Sequence, residues 1–249
     1  QMGVERIGDD SAEADAELLA MTVECLLRSG LTEFQVSVGQ VDYYKSLLAE
    51  ADMDEEAEER LRSMISQKNY FGVEDLVKEQ GLNAQLSEAF QALPHLFGNY
   101  EVLDKARHLT DNPQAIAAVE RLEEIYQILK IYGYEKYISF DFGMVSKIQY
   151  YTGIIFQAYT YGTGEPIVKG GRYDELLKHF GKPAASIGFV IMIDGLLTAL
   201  TRQKITVSQN EAPVVLTYNT SNRKEIIEQA QKLRKEGTCV ALRCQKEDC

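Results

Sequence analysis

The feature that most constrains this chain is a change of periodicity made twice. Stretches within residues 1–40 and 133–204 alternate with the two-residue period of strands, while residues 41–132 show helical spacing and no convincing strand. A sheet that draws on both flanks must therefore accommodate a helical insertion between its strands. "QMGVERIG" reads as a short strand with Gln1, Gly3 and Glu5 on one face. The helix "DDSAEADAELLAMTVECLLRSG" follows: Asp10 with Glu13 resembles a capping box, Leu19, Val23, Leu26 and Leu27 form the apolar stripe, and Gly30 stops it. "EFQVSVGQ" is a strand with Phe34, Val36 and Val38 inward.

In the central block, "AEADMDEEAEER" (49–60) carries seven acids and one Arg and reads as a solvated helix face rather than a metal site. "NPQAIAAVERLEEIYQILKIYG" is the longest predicted helix, with Pro113 near its start. Strands resume with "YISFDFG" (137–143) and "VSKIQYYTGIIFQAY" (145–159). From Ile148, an apolar row of Ile148, Tyr150, Thr152, Ile154, Phe156 and Ala158 alternates with a wetter row of Gln149, Tyr151, Gly153, Ile155 and Gln157. The wetter face leaves room for a flat polar ligand. Next, "YGTGEPIVKGGRYDEL" predicts a hairpin turn at Gly162–Gly164 and a close approach to backbone at Gly170 and Gly171, where a ligand could sit. Its spacing matches neither a Walker loop nor a dinucleotide fingerprint. "ASIGFVIMI" predicts a buried strand, "DGLLTALTRQ" a helix, and the tail from Glu211 a strand, helix and strand. The expected fold class is α/β (α+β), with residues 1–40 and 133–204 as a core, 41–132 as the helical insertion and 210–249 as a small βαβ unit.

Charge then narrows the function classes. A net charge of −12 and a pI near 4.8 offer no basic face for stable nucleic-acid binding. No run approaches 18 apolar residues and no signal peptide is present, so neither a membrane span nor export is expected. Cys25, Cys239, Cys244 and Cys249 lack a zinc spacing and predict reduced thiols in a cytoplasmic protein, with no metal. His95, His108 and His179 have no partnering pattern. The chain begins at Gln1 rather than Met and is expected to be part of a longer one.

"YYTGIIFQAY", "GGRYDELLKHFG" and "PAASIGFVIMIDGLL", in that order, resemble the histidine signatures and third motif of histidyl-tRNA synthetase, a class II aminoacyl-tRNA synthetase. "QMGVERIG" followed by "ADAELLA" is similar to the segment after that enzyme's second motif. The likeness covers about 1–40 and 133–200. It implies an antiparallel sheet flanked by helices, and a histidine pocket of Gln1 and Glu5 on the α-ammonium, with Tyr150, Tyr151 and Tyr173 around the imidazole beside Gly170 and Gly171. The apolar row assigns Tyr150 a structural role, and Arg172 is expected to support the signature loop by an ion pair. The departures are equally specific. The Arg-Gly-Leu-Asp that precedes the tyrosine pair in the synthetase is Ser146-Lys147-Ile148-Gln149 here, the third-motif Arg is Gly195, and a neighbouring Gly is Met192. Adenylation needs cations on the developing phosphoryl charge, so these departures from the family pattern lead to the expectation of no catalytic residues and no cofactor.

A pocket kept while the reactive cations are replaced resembles the regulatory-subunit branch of this family, which "QVDYYKSLL" and "FGVEDLVKEQGL" also resemble. That branch implies assembly with, and activation of, the short-form catalytic ATP phosphoribosyltransferase in the first step of histidine biosynthesis. It also implies histidine feedback, a homodimeric core, and no nucleic acid or membrane partner. The rivals are a divergent or fragmentary histidyl-tRNA synthetase and an amino-acid sensor of this fold with another partner. The first motif and the start of the second, which supply much of the dimer surface, are absent from the sequence.

Overall fold

The computed structural model describes residues 1–145, 150–206 and 212–245. The substitutions at Ser146, Lys147, Ile148 and Gln149 lie outside them, as does Cys249. The chain divides into two compact units, residues 1–206 and 207–249. The first opens with β1 (Met2–Ile7), α1 (Ala12–Arg28) and β2 (Phe34–Gln40). The helical block then runs through α2 (Val41–Ala51), α3 (Glu55–Ser66), α4 (Tyr70–Glu79) and α5 (Ala84–Ala92). It continues through the short strand β3 (Phe97–Gly98), α6 (Glu101–His108) and α7 (Pro113–Tyr132). The sheet is completed by β4 (Ile138–Asp141), β5 (Ile154–Thr160), β6 (Val168–Arg172) and β7 (Ser186–Ile191), and α8 (Ile193–Arg202) follows.

Sequence explains most of these boundaries. Asn112 caps α7 by accepting from Gln114 and Ala115, Pro113 fills its first position, and Gly133 ends it at φ 75°. At α1 the cap is Ser11, whose hydroxyl accepts from Ala14 N, instead of the expected Asp10–Glu13 box; Asp9 accepts the Ser11 N–H just ahead of it. The acidic run 49–60 is split between two helices. Asp52 turns the chain at φ 49° and Asp54 caps α3 through Ala57 N. β3, only two residues long, is the strand that periodicity did not predict.

The seven strands lie in the order β1-β7-β6-β5-β2-β4-β3, antiparallel except for β2 beside β4. One row across the sheet runs Val4, Phe189, Gly170, Phe156, Val38 and Phe140. All but the partly buried Val4 lie at least nine-tenths from solvent, in one core with Leu19, Val23 and Leu26 of α1 and Val119 and Leu122 of α7. The adjacent row runs Glu5, Gly188, Gly171, Ile155 and Gly39, and by strand alternation it belongs to the opposite face. Three glycines in five positions leave that face shallow.

The second unit is a βαβ: β8 (Val214–Tyr218) and β9 (Val240–Cys244) pair in parallel, with α9 (Arg223–Lys235) between them in sequence.

Candidate functional site

The shallow face is where the predicted residues gather. A side chain on Gly188 would collide with the Glu5 carboxylate, so the carboxylate lies flat across that glycine. A Cβ on Gly171 would stand 2.6 Å from a Tyr151 ring carbon, so the ring lies over the next glycine of the same row. The Tyr173 hydroxyl donates to Glu5 Oε2. Tyr150 completes the group, its ring centroid 4.7 Å from that of Tyr151 and 6.0 Å, edge-on, from that of Tyr173. Burial pushes the Tyr151 and Tyr173 phenols well above their ordinary range, with hydrogen bonding to Tyr150 and Glu5 respectively as the second cause. Both therefore remain O–H groups across the physiological range. The cluster is one carboxylate acceptor, a hydroxyl that orients it, and aromatic walls on a glycine floor. Such a set suits a ring carrying N–H donors or a small cation.

A cavity of about 320 Å³ adjoins it, lined by Tyr151, Ile155, Gln157, Lys169, Lys68 and Asp141. Lys68 pairs with Asp141 at 2.8 Å and lies 5.0 Å over the Phe97 ring. Among the described residues no group of three or more His, Cys, Asp or Glu side chains forms a metal site.

Three expectations change. Tyr150 is 41% exposed and takes part in the cluster, because β5 begins only at Ile154 and strand alternation does not extend back to it. Gly170 faces the core: its missing side chain lets the Phe156 and Phe189 rings approach across it, centroids 6.4 Å apart. Gln1 shares the parity of Glu5, but four residues of strand, about 13 Å, separate them. Its amide contacts Met192 Sδ at 3.4 Å. Gly195 lies in the first turn of α8, where a Cβ would make only ordinary contact with Ile167, 3.4 Å away.

Beneath the cluster is a charge network of which sequence reasoning anticipated only Arg172. Asp15, 1% exposed, accepts from Arg172 Nη2 at 2.6 Å and Nε at 2.8 Å through Oδ1. Through Oδ2 it accepts from Arg121 Nε at 2.9 Å, with Arg121 Nη2 at 2.8 Å. Burial pushes the Asp15 carboxyl upward, against the pull of both guanidiniums. Arg172 also reaches Asp9 O at 3.0 Å and Asp174 Oδ1 at 3.1 Å. The one signal in the sequence was an acidic residue on the apolar side of α1. Gly188 likewise carried a signal, as a lone glycine inside a strand.

A seven-stranded, largely antiparallel sheet with this pocket defines a class II synthetase-like protein. The family model for histidyl-tRNA synthetase matches residues 1–196, and the chain belongs to that family. Within it, the chain is similar to the ATP phosphoribosyltransferase regulatory subunits of Acetivibrio thermocellus and Thermoanaerobacter. It is 39% identical to the first, over 97% of this chain and 58% of that one, and 38% identical to the second, over 97% and 64%. It spans about three-fifths of their length. Among solved structures, a regulatory subunit/histidyl-tRNA synthetase from Bacillus halodurans is 33% identical with TM-score 0.75, covering 99% of this chain and 63% of that one. Histidyl-tRNA synthetase from Nostoc shares the fold at TM-score 0.71 and 21% identity, over 99% of this chain and 61% of that one.

Proposed function

We propose that this chain is the pocket-bearing part of a non-catalytic regulatory subunit. It assembles with the short-form catalytic ATP phosphoribosyltransferase in the cytoplasm, activates it, and takes part in feedback by histidine. The observation that carries this reading is the glycine-floored cluster of Glu5, Tyr150, Tyr151 and Tyr173, in a chain whose relatives are named as regulatory subunits. Histidine presents an ammonium and an imidazole. Glu5, oriented by Tyr173, accepts from one of them, and the aromatic rings flank the imidazole. A homodimeric core is part of the same reading.

Binding without reaction follows from the missing cations. Adenylation concentrates negative charge on a phosphoryl group, and loss of one fixed donor costs on the order of 10²–10³ in rate. Ser146 and Gly195 stand where the resemblance places two such donors, and neither side chain carries charge. The test is reconstitution: the catalytic subunit is assayed alone, with the full-length protein, and with added histidine. Stimulation that histidine reverses is expected; no stimulation would sink the regulatory reading. The rival synthetase reading makes an opposite prediction, namely histidine-dependent ATP–pyrophosphate exchange, which the regulatory reading expects to be absent.

A further inference from the structure

We propose that Arg121 of α7 is a positioning residue for the aromatic pocket, acting from the helical block through Asp15 and Arg172. Arg172 stands in the chain between Gly171, which carries the Tyr151 ring, and Tyr173, which holds Glu5. Its own carbonyl accepts from Thr152 N at 2.9 Å, and Asp174 N donates to the Thr152 hydroxyl at 2.9 Å. The segment bearing Tyr150 and Tyr151 is thus fastened to the segment bearing Tyr173 around this one arginine. Its side chain packs on Gly153, where a Cβ would meet Arg172 Cδ at 3.0 Å.

What orients Arg172 is Asp15, and Asp15 is held from both sides. Each carboxylate oxygen faces one guanidinium, so a fork on Oδ2 fixes the plane that Oδ1 presents to Arg172. Arg121 is itself located by a second bond, Nη2 to Asp10 O at 2.6 Å. A buried triad of this kind is weak evidence for stability, since desolvation offsets much of its attraction; its consequence is a single geometry. A second tie from the helical block reaches the same segment: Lys45 of α2 donates to Tyr151 O at 2.8 Å. α2 and α7 pack on each other, so both ties come from one packed pair of helices.

The test uses Arg121→Gln in the full-length protein, with Arg121→Lys as the milder variant that keeps charge but loses the fork. Hydrogen exchange without ligand reports on the fastening directly. Amides of residues 150–153 and 172–174 are expected to exchange several-fold faster, with the melting temperature within a few degrees of wild type. Unchanged exchange there overturns the proposal. The ligand arm rests on the histidine reading above: calorimetry is expected to show affinity weakened about three- to tenfold. Wild-type and variant binding histidine equally well would overturn the proposal. Faster exchange in a protein whose wild type ignores histidine would uphold the positioning role and refute the histidine reading instead.

Discussion

Gly188→Ala separates recognition from folding. The new methyl group collides with the Glu5 carboxylate, the far end of a flexible and exposed side chain, which must swing away and release the Tyr173 hydroxyl. A charge-assisted hydrogen bond is worth about 1.5–3 kcal/mol in full, and this exposed one belongs at the low end. Relief of glycine's backbone entropy in a strand returns about 0.5–1 kcal/mol. The net cost is therefore about 1 kcal/mol or less, a fall in melting temperature of about 4 °C at most for a unit of this size. On the proposed reading histidine loses its fixed acceptor, and affinity by calorimetry should fall about tenfold. Gly171→Ala provides the comparison. Its methyl group would stand 2.8 Å from the Ile154 carbonyl as well as 2.6 Å from Tyr151. Backbone cannot swing aside, so about 1–3 kcal/mol of stability goes together with binding. Unchanged affinity in Gly188→Ala, with unchanged stability, would show that Glu5 does not recognise the ligand. A melting temperature lower by more than about 8 °C would show that the methyl strikes something stiffer than Glu5.

Glu5→Gln and Tyr151→Phe each keep the fold and weaken histidine binding a few-fold to about tenfold, read by calorimetry. Identical binding in both would mean that regulation is read on another surface. Asp15→Ala leaves Arg172 buried without its carboxylate and costs about 3–5 kcal/mol in denaturant unfolding; a loss below about 1 kcal/mol would contradict the buried triad. Asp9 bears on acid stability. Hydrogen bonds from the Ser11 side chain and backbone, then from Arg6, hold its carboxyl at about 2, below the ordinary 3.8. Stability from Asp9 is thus complete above about pH 3.8 and lost as pH falls toward 2. Asp9→Asn should be less stable than wild type at neutral pH and show a flatter stability curve between pH 4 and 2. An unchanged acid limb would refute the assignment.

Much of the local chemistry was legible where a signal lies within a few residues, though the α1 cap proved to be Ser11 rather than Asp10. The Asn112–Pro113 start of α7, the apolar alternation of β2, the turn at Gly162–Gly164 and the tail βαβ all follow from neighbours in the chain. The start of β5 was misplaced because residues 150–152 are held by Lys45 and Arg172 rather than by a strand ladder, so alternation carries no information there. For the site, residue types were readable but their facing was not. Gly170 and Gly171 are adjacent and alike, and only the sheet assigns one to the core and the other to the pocket floor.

By itself the sequence determined the elements, the family likeness and the residue types that a histidine pocket would need, because helix, strand and motif signals are short-range. Tertiary structure decided which of those residues meet. Asp15 lies 106 residues from Arg121 and 157 from Arg172, and Glu5 lies 168 from Tyr173. Contacts at such separations exist only once α1 packs on α7 and β1, β7 and β6 align in register over the glycine row.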